Sequence, residues 1–401
     1  MKNGKSPGSD GLPREFYRTF WAIIGPDIRA VFEDAFQNGL LNQSQRLGMI
    51  TLLPKSGDPL DPHNKRPITL LNVDYKLLAK ALCNRLALAM PHLVGDLQTC
   101  AVKGHCIQQN LWLMRDLTDF VIERDLPCAL VSLDQQKAFD MVDRGFLMNV
   151  LETFQLHPNF RKWISVLYEE SFSSVIVNGF CSEVFNVERG VRQGCPLSPL
   201  LYVLFSESLS RLLERDSKLV PFVVPGGAKV KCAQYADDVT CLFRVWLLSR
   251  TLAGLSIFER ATGAKLNPEK TKGLRLGSWR YRDLPFGASW SDQNIKINGI
   301  WFGYDAPCDV TWNERAEVFR ADSKPLAPAG FRSWESHVIN RFVSPILWYP
   351  GAVYQFRVAS WSVGEGDIFH YIWSGWYRAC QEGGIVPKTG EGGTRGGSSG
   401  K

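Results

Sequence analysis

The chain has 401 residues, a hydrophobic share of 45%, a charged share of 21% and a formal net charge of +6, which leaves room for two or three domains with ordinary apolar cores and permits, without requiring, a nucleic-acid partner. Ten cysteines with no C-x-x-C pair and no Cys/His array argue against a zinc knuckle or a disulfide framework. No apolar run reaches the length of a membrane span or the core of a signal peptide, so an intracellular protein of the nucleus or cytoplasm is expected, neither secreted nor in a membrane.

Residues 4–13, Gly-Lys-Ser-Pro-Gly-Ser-Asp-Gly-Leu-Pro, form a Gly/Pro-rich loop leading into an aromatic helix over residues 15–36. Residues 50–58 read as a strand entering a turn, followed by Lys65-Arg66-Pro67-Ile68-Thr69-Leu70; cations on such strands are ordinarily solvated. From Val73 to Met90 the residues Leu77, Leu78, Ala81, Leu82 and Leu86 recur at helical spacing, with Lys76, Lys80 and Arg85 opposite and Pro91 beyond the end. The run from Pro127 to Leu133 is nearly all apolar and too short for a helix, which predicts a strand buried on both faces and ending at Asp134. Asp143 is suited to cap a helix whose apolar face is Phe146, Leu147, Val150, Leu151 and Phe154. Asn178-Gly179, between residues 173–177 and 180–187, is a hairpin signal. Ser198 and Pro199 then open a long helix, as cap and first-turn residue.

Two further short strands, residues 230–233 and 239–243, bracket Gln234-Tyr235-Ala236-Asp237-Asp238. Alone, an acidic pair at a turn fits a solvated hairpin tip as well as a site. A third carboxylate, Asp134 at the end of a buried strand, alters the balance, because two buried strands can aim Asp134 and Asp237 from neighbouring ends. At a separation of about 5 Å and an effective dielectric near 20, each carboxylate pair repels by roughly 3 kcal/mol, so the cluster is either partly protonated or holds cations. Mg2+ suits it, since it takes one or two carboxylates and completes its octahedron with water and phosphate oxygens. Two such ions about 4 Å apart serve an in-line phosphoryl displacement.

Tyr235-Ala236-Asp237-Asp238 resembles the Y-x-D-D signature of reverse transcriptases, and Asp134 with Lys137-Ala138-Phe139-Asp140 resembles their first metal-binding motif in its non-LTR (LINE-type) retrotransposon form. Arg189-Gly190-Val191-Arg192-Gln193-Gly194-Cys195-Pro196-Leu197-Ser198-Pro199 matches the family's G-V-R-Q-G-C-P-L-S-P block almost letter for letter. Further resemblances lie in the K-S-P-G-x-D-G opening, the fingers hairpin around Lys55 and Arg66, and Thr262 to Lys272, which follows S-G-L-x-L-N-x-x-K-T. Gln98-Thr99-Cys100-Ala101-Val102-Lys103-Gly104-His105 follows Q-x-G-F-x-x-G-R in part, and Ile297 to Gly303 resembles the primer grip with Asn298 in place of leucine.

The resemblance implies an α+β right-hand polymerase: fingers with the start of the palm over residues 1–125, a ferredoxin-like palm over 126–310, a helical thumb over 311–380 and a disordered Gly/Ser-rich tail over 381–401. It implies an RNA-directed DNA polymerase, with Asp134, Asp237 and Asp238 holding two Mg2+ ions, for which Mn2+ can substitute. Lys55 and Arg66 would grip the triphosphate, Phe139 would underlie the sugar and exclude a 2′-hydroxyl, Gln193 and Gly194 would meet template base and nucleotide, and Lys270 would protonate the leaving pyrophosphate. Partners are an RNA template, a DNA primer and deoxynucleoside triphosphates. The opening block so near Met1 suggests a truncated chain, and Pro325 to Gly330 suggests a deformed thumb. Two alternatives stay open: a catalytically silent nucleic-acid-binding remnant and a two-metal nuclease.

Overall fold

A computed structural model describes residues 1–354 apart from 2, 56, 59, 218–220, 225–226, 228, 244–247, 268, 285–287 and 324–343. It divides into a unit ending at Pro307 and a second beginning at Cys308.

In the first unit, helix α1 (Arg14–Asn38) and the single turn α2 (Gln43–Arg46) precede strand β1 (Leu47–Pro54), which pairs antiparallel with β2 (Lys65–Leu70). The Gly/Pro-rich front loop is tied to the start of helix α3 (Val73–Leu93) through Asn72, whose Oδ1 accepts from the Ser9 hydroxyl and the Asp10 N–H while its Nδ2 donates to the Ser44 carbonyl. The predicted apolar face of α3 holds at Leu78, Leu82 and Leu86 and is completed by Tyr75, Ala79, Cys83 and Met90, whereas Ala81 is exposed. The helix also runs past the expected stop at Pro91, because in the last turn only the proline's own donor is lost and the Val94 N–H still reaches the Met90 carbonyl.

Helix α4 (Ile107–Glu123) leads to β3 (Cys128–Leu133), in which Cys128 to Val131 and Leu133 are all buried. Helices α5 (Arg144–Thr153) and α6 (Pro158–Tyr168) follow, and the Asp143 carboxylate caps α5 by accepting the Phe146 N–H at 2.8 Å, as its position predicts. Strand β4 (Phe172–Val177) lies parallel to β1, and beyond Asn178-Gly179 the expected long return strand is broken into β5 (Phe180–Cys181) and β6 (Phe185–Asn186). The break falls where the Ser182 hydroxyl bonds the Glu183 carbonyl and accepts the Val175 N–H, replacing ladder bonds.

Helix α7 (Ser198–Arg215) is the centre of the core: Leu200 to Phe205 are each 3% exposed or less, and each buried leucine contributes about 1.5–3 kcal/mol. Ser198 does not cap it. Leu197 is already near-helical, and the buried Ser198 hydroxyl instead pairs with the Tyr168 hydroxyl at 3.2 Å. After the small hairpin β7 (Phe222–Val223) and β8 (Lys229–Val230) come β9 (Cys232–Tyr235), β10 (Asp238–Phe243), helix α8 (Leu248–Thr262) and β11 (Lys272–Leu276). With β12 (Ser289–Ser291) they form a five-stranded sheet ordered β12-β11-β3-β10-β9, antiparallel throughout except between β11 and β12. The hairpin β13 (Asn294–Ile297) and β14 (Ile300–Gly303) turns at Asn298-Gly299, both with positive φ.

The second unit contains a helix over Pro307–Ser323, entered from the preceding unit, and another over Ser344–Gly351, with Trp312 buried against Gly351. The proline-rich interruption at 325–330 and the Gly/Ser-rich tail lie outside the described residues. No helix among the described residues is long and apolar enough to cross a membrane.

Candidate active site

Strand order brings the three distant carboxylates to one end of the neighbouring inner strands β3 and β10. Val239 on β10 pairs with Leu133 on β3, so Asp238 and Asp134, the next residue on each side, lie at the same end of the paired strands. Asp237 sits in the two-residue turn between β9 and β10. Its own pKa is raised, chiefly by burial and then by repulsion from Asp134, while the Arg66 guanidinium pulls it down. Asp238 is pushed up to about 6, by burial first and then by Asp237 and Asp134. Its side chain is nonetheless exposed. A carboxylate that touches solvent yet is surrounded by protein lies on the floor of a concavity, and Asp238 lines a narrow cleft with Tyr235, Asn110 and Asn298.

Among the described residues no three His, Cys, Asp or Glu side chains gather tightly enough to form a ready-made metal cage. The donor set still suits a hard divalent cation. Burial and neighbouring carboxylates raise the pKa of Asp237 and Asp238, so a positive charge beside them is favoured, and Mg2+ needs only one or two carboxylates when water and phosphate supply the rest.

The backbone of Asp134 is fixed from the other side. Its carbonyl accepts the Asn267 N–H at 2.8 Å, and the Gln136 N–H donates to the Lys265 carbonyl at 2.8 Å. Lys270 follows Asn267 in the same loop, its N–H held by the Asn267 carbonyl, with its side chain exposed. The loop is therefore brought to Asp134, although among the described residues no ion pair of the Lys270 amine marks it over Lys265 or Lys272.

The Arg189–Pro199 segment forms the neighbouring wall. The Val191 N–H donates to the Phe139 carbonyl and the Gly190 N–H to the Val142 carbonyl, both at 2.8 Å. Gln193 donates from Nε2 to Asp140 Oδ1 at 3.1 Å, and its carbonyl accepts the Thr69 N–H at 2.6 Å. The loop thus joins β2, the strand carrying Arg66, to the turn after Asp134. Gly194 has φ +125, and a Cβ there would meet the Thr69 carbonyl oxygen at 2.3 Å, so no side chain fits. Phe139 is half-buried and stacked on Tyr202 with centroids 4.7 Å apart and planes 12° from parallel, while the Tyr202 hydroxyl donates to Gln135 Oε1 at 2.9 Å. Lys55 and Arg66 are both exposed near the ends of β1 and β2; burial raises the pKa of Asp140 against the pull of Gln193, Lys137 and Lys55, as it raises that of Asp237 against Arg66.

The nine residues singled out in the sequence fall on loops or near strand ends, and of them Asp238 lines this cleft. Two contacts had no role in the sequence reading: Asp140, quoted there only within its motif, and Gln98, quoted only as a partial match. Asp140 receives Gln193, and its signal is its place six residues after Asp134.

Residues 53–302 match the family described as "Reverse transcriptase (RNA-dependent DNA polymerase)". The chain is 34% identical over 361 residues to the transposon TX1 uncharacterized 149 kDa protein of Xenopus laevis, covering 87% of this chain and 27% of that one. It is 29% identical over 282 residues to the retrovirus-related Pol polyprotein from type-2 retrotransposable element R2DM of Drosophila melanogaster, covering 67% and 25%. With the RNA-directed DNA polymerase from mobile element jockey of Drosophila funebris it shares 26% identity over 245 residues, covering 60% and 26%. The chain spans about a quarter of the length of these relatives.

Proposed function

The chain belongs to the reverse transcriptases of non-LTR (LINE-type) retrotransposons, and from that membership we propose that it is an RNA-directed DNA polymerase adding deoxynucleotides to a primer 3′-hydroxyl. The observation that carries the reading is the convergence of Asp134, Asp237 and Asp238 beside a wall built from Phe139 and the Gln193-Gly194 loop. A nuclease needs the carboxylates but has no use for that wall.

In this reading the five-stranded sheet bearing the acids is the palm, the sheet of β1, β2 and β4 belongs to the fingers, and residues 311–380 supply the thumb. The template is RNA, the primer DNA, and the heteroduplex is held through its backbone. Asp134 and Asp237 would hold the Mg2+ ions, with Asp238 in support. When bound, such ions lower the pKa of the attacking hydroxyl and steady the charge on the leaving oxygen.

The protein's own groups do the positioning. Arg66 and Lys55 offer a planar donor fork and a point charge to the triphosphate from exposed strand ends. Phe139, held flat by Tyr202, presents a fixed edge under the sugar, where a 2′-hydroxyl would collide. Gly194 lets bare backbone close on Thr69, which keeps Gln193 beside Asp140 and the strand of Arg66, and Lys270 stands in the loop from which a proton can reach the departing pyrophosphate.

The test is extension of a labelled oligo(dT) primer on poly(rA) with Mg2+. Product from the intact chain and none from Asp237→Ala supports the polymerase. Binding without extension would point to a silent remnant, and shortening of the primer to a nuclease.

A further inference from the structure

The turn that carries Asp237 is strained and is held from outside the hairpin. Tyr235 pairs with Asp238, leaving Ala236 and Asp237 as a two-residue turn, and Ala236, at its first central position, has φ +55, where glycine is favoured. The Ala236 N–H is accepted by Gln98 Oε1 at 3.2 Å. The same oxygen accepts the Cys100 N–H at 3.1 Å, and Gln98 Nε2 donates to Gln234 Oε1 at 3.1 Å and to the Ser206 hydroxyl on α7 at 3.5 Å. Gln98 is 2% exposed.

Its backbone is fixed as well. Residues 97–99 lie along the outer edge of β9, with the Gln234 N–H donating to the Leu97 carbonyl at 2.8 Å and the Thr99 N–H to the Gln234 carbonyl at 3.0 Å. Asn110 Nδ2 on α4 bonds the same Gln234 carbonyl at 2.8 Å. One buried amide therefore ties the acidic turn to the core helix and to an added edge segment.

We infer that Gln98 is a positioning residue for the polymerase reaction, its side-chain oxygen holding Ala236 in the left-handed conformation that keeps the Asp237 carboxylate beside Asp134. The inference rests on the polymerase reading for its kinetic consequence and on geometry alone for the contact. If Ala236 relaxed to a negative φ, the chain direction at Asp237 would change and the carboxylate would turn from Asp134. Gln98 touches no reacting atom.

The experiment compares wild type with Gln98→Met, Gln98→Glu, Ala236→Gly and the double variant Gln98→Met/Ala236→Gly, by steady-state primer extension under Mg2+ titration and by amide hydrogen exchange at Ala236. Methionine keeps the length of the side chain and loses its hydrogen bonds. It is expected to lower kcat about tenfold or more and raise the Mg2+ concentration for half-maximal activity, with the KM for deoxynucleotide changed less than about threefold. Glutamic acid, protonated in this buried position, keeps the acceptor oxygen and can donate its hydroxyl to Gln234 Oε1; this variant is expected within about threefold of wild type. Glycine at 236 adopts the positive φ unaided, so Gln98→Met should cost less than about threefold in that background.

Equal losses from Gln98→Met in the alanine and glycine backgrounds, a Gln98→Glu loss as large as that of methionine, or extension by Gln98→Met at the wild-type rate would each overturn the inference. If Gln98→Met fails to fold, Gln98→Glu and the glycine background decide. Wild type that extends nothing removes the polymerase reading only; the exchange measurement then decides the contact, expected to show Ala236 protection falling about tenfold in Gln98→Met, with unchanged protection contradicting it.

Discussion

Replacing Asp238 with asparagine should make the protein more stable at neutral pH while weakening its chemistry. The folded protein holds a proton on Asp238 up to a pKa of about 6, against an ordinary 3.8 for an aspartate. Between those values the folded state binds a proton that the unfolded chain has released, so stability falls as pH rises through the window and stays reduced above pH 6. The full gap corresponds to about 3 kcal/mol, at 1.36 kcal/mol per pH unit. Because the Asp238 side chain is exposed, solvent screening reduces this to about 1 kcal/mol.

Asp238→Asn removes the charge and keeps the shape. Urea midpoints measured from pH 4 to pH 8 should show the variant level with wild type at the acid end and about 1 kcal/mol more stable at pH 8. Mg2+ at tenfold its dissociation constant should raise the wild-type stability by about 1.4 kcal/mol and the variant's by less. A difference that does not vary with pH, or a variant less stable at pH 8, would refute the electrostatic account of this end of the sheet.

Gly194→Ala places a methyl 2.3 Å from the Thr69 carbonyl at φ +125, so it should displace the loop, cost about 2–3 kcal/mol in thermal unfolding and reduce extension about a hundredfold; a folded variant with wild-type kinetics would show that close approach at Gly194 is not needed. Phe139→Ala removes the ring that Tyr202 holds flat, and single-nucleotide incorporation should then show the preference for deoxynucleotides over ribonucleotides fall about tenfold or more, equivalent to about 1.4 kcal/mol; unchanged discrimination would remove Phe139 from sugar selection.

How much could be read in advance depended on whether local pattern decided the outcome. The run ending at Leu133 is almost wholly apolar and the strands around Tyr235 are largely so, with Gln234 and Thr240 the buried polar exceptions, and the burial of these strands and the exit of Asp134 and Asp237 at their ends follow from composition. Asp143 capped its helix because the capping geometry is local. Where two local rules competed the sequence misled: Pro91 was accommodated in a final turn, and Ser198 lost the cap because Leu197 was already near-helical and the Tyr168 hydroxyl offered a partner.

Long-range pairings were illegible for a different reason. The parallel contact of β1 with β4 and the insertion of Gln193 between Thr69 and Asp140 join segments far apart in the chain, with no periodicity to announce them. Gln98 was hidden likewise, since a buried amide bonding a turn 138 residues away looks in sequence like any glutamine.

The central claim is that these carboxylates serve nucleotide addition, and primer extension on poly(rA) by wild type and Asp237→Ala, each with and without Mg2+, tests it most directly. The account predicts Mg2+-dependent product from wild type and a loss of about a thousandfold or more in the variant. Equal product from both chains, or product that does not depend on a divalent ion, would contradict it.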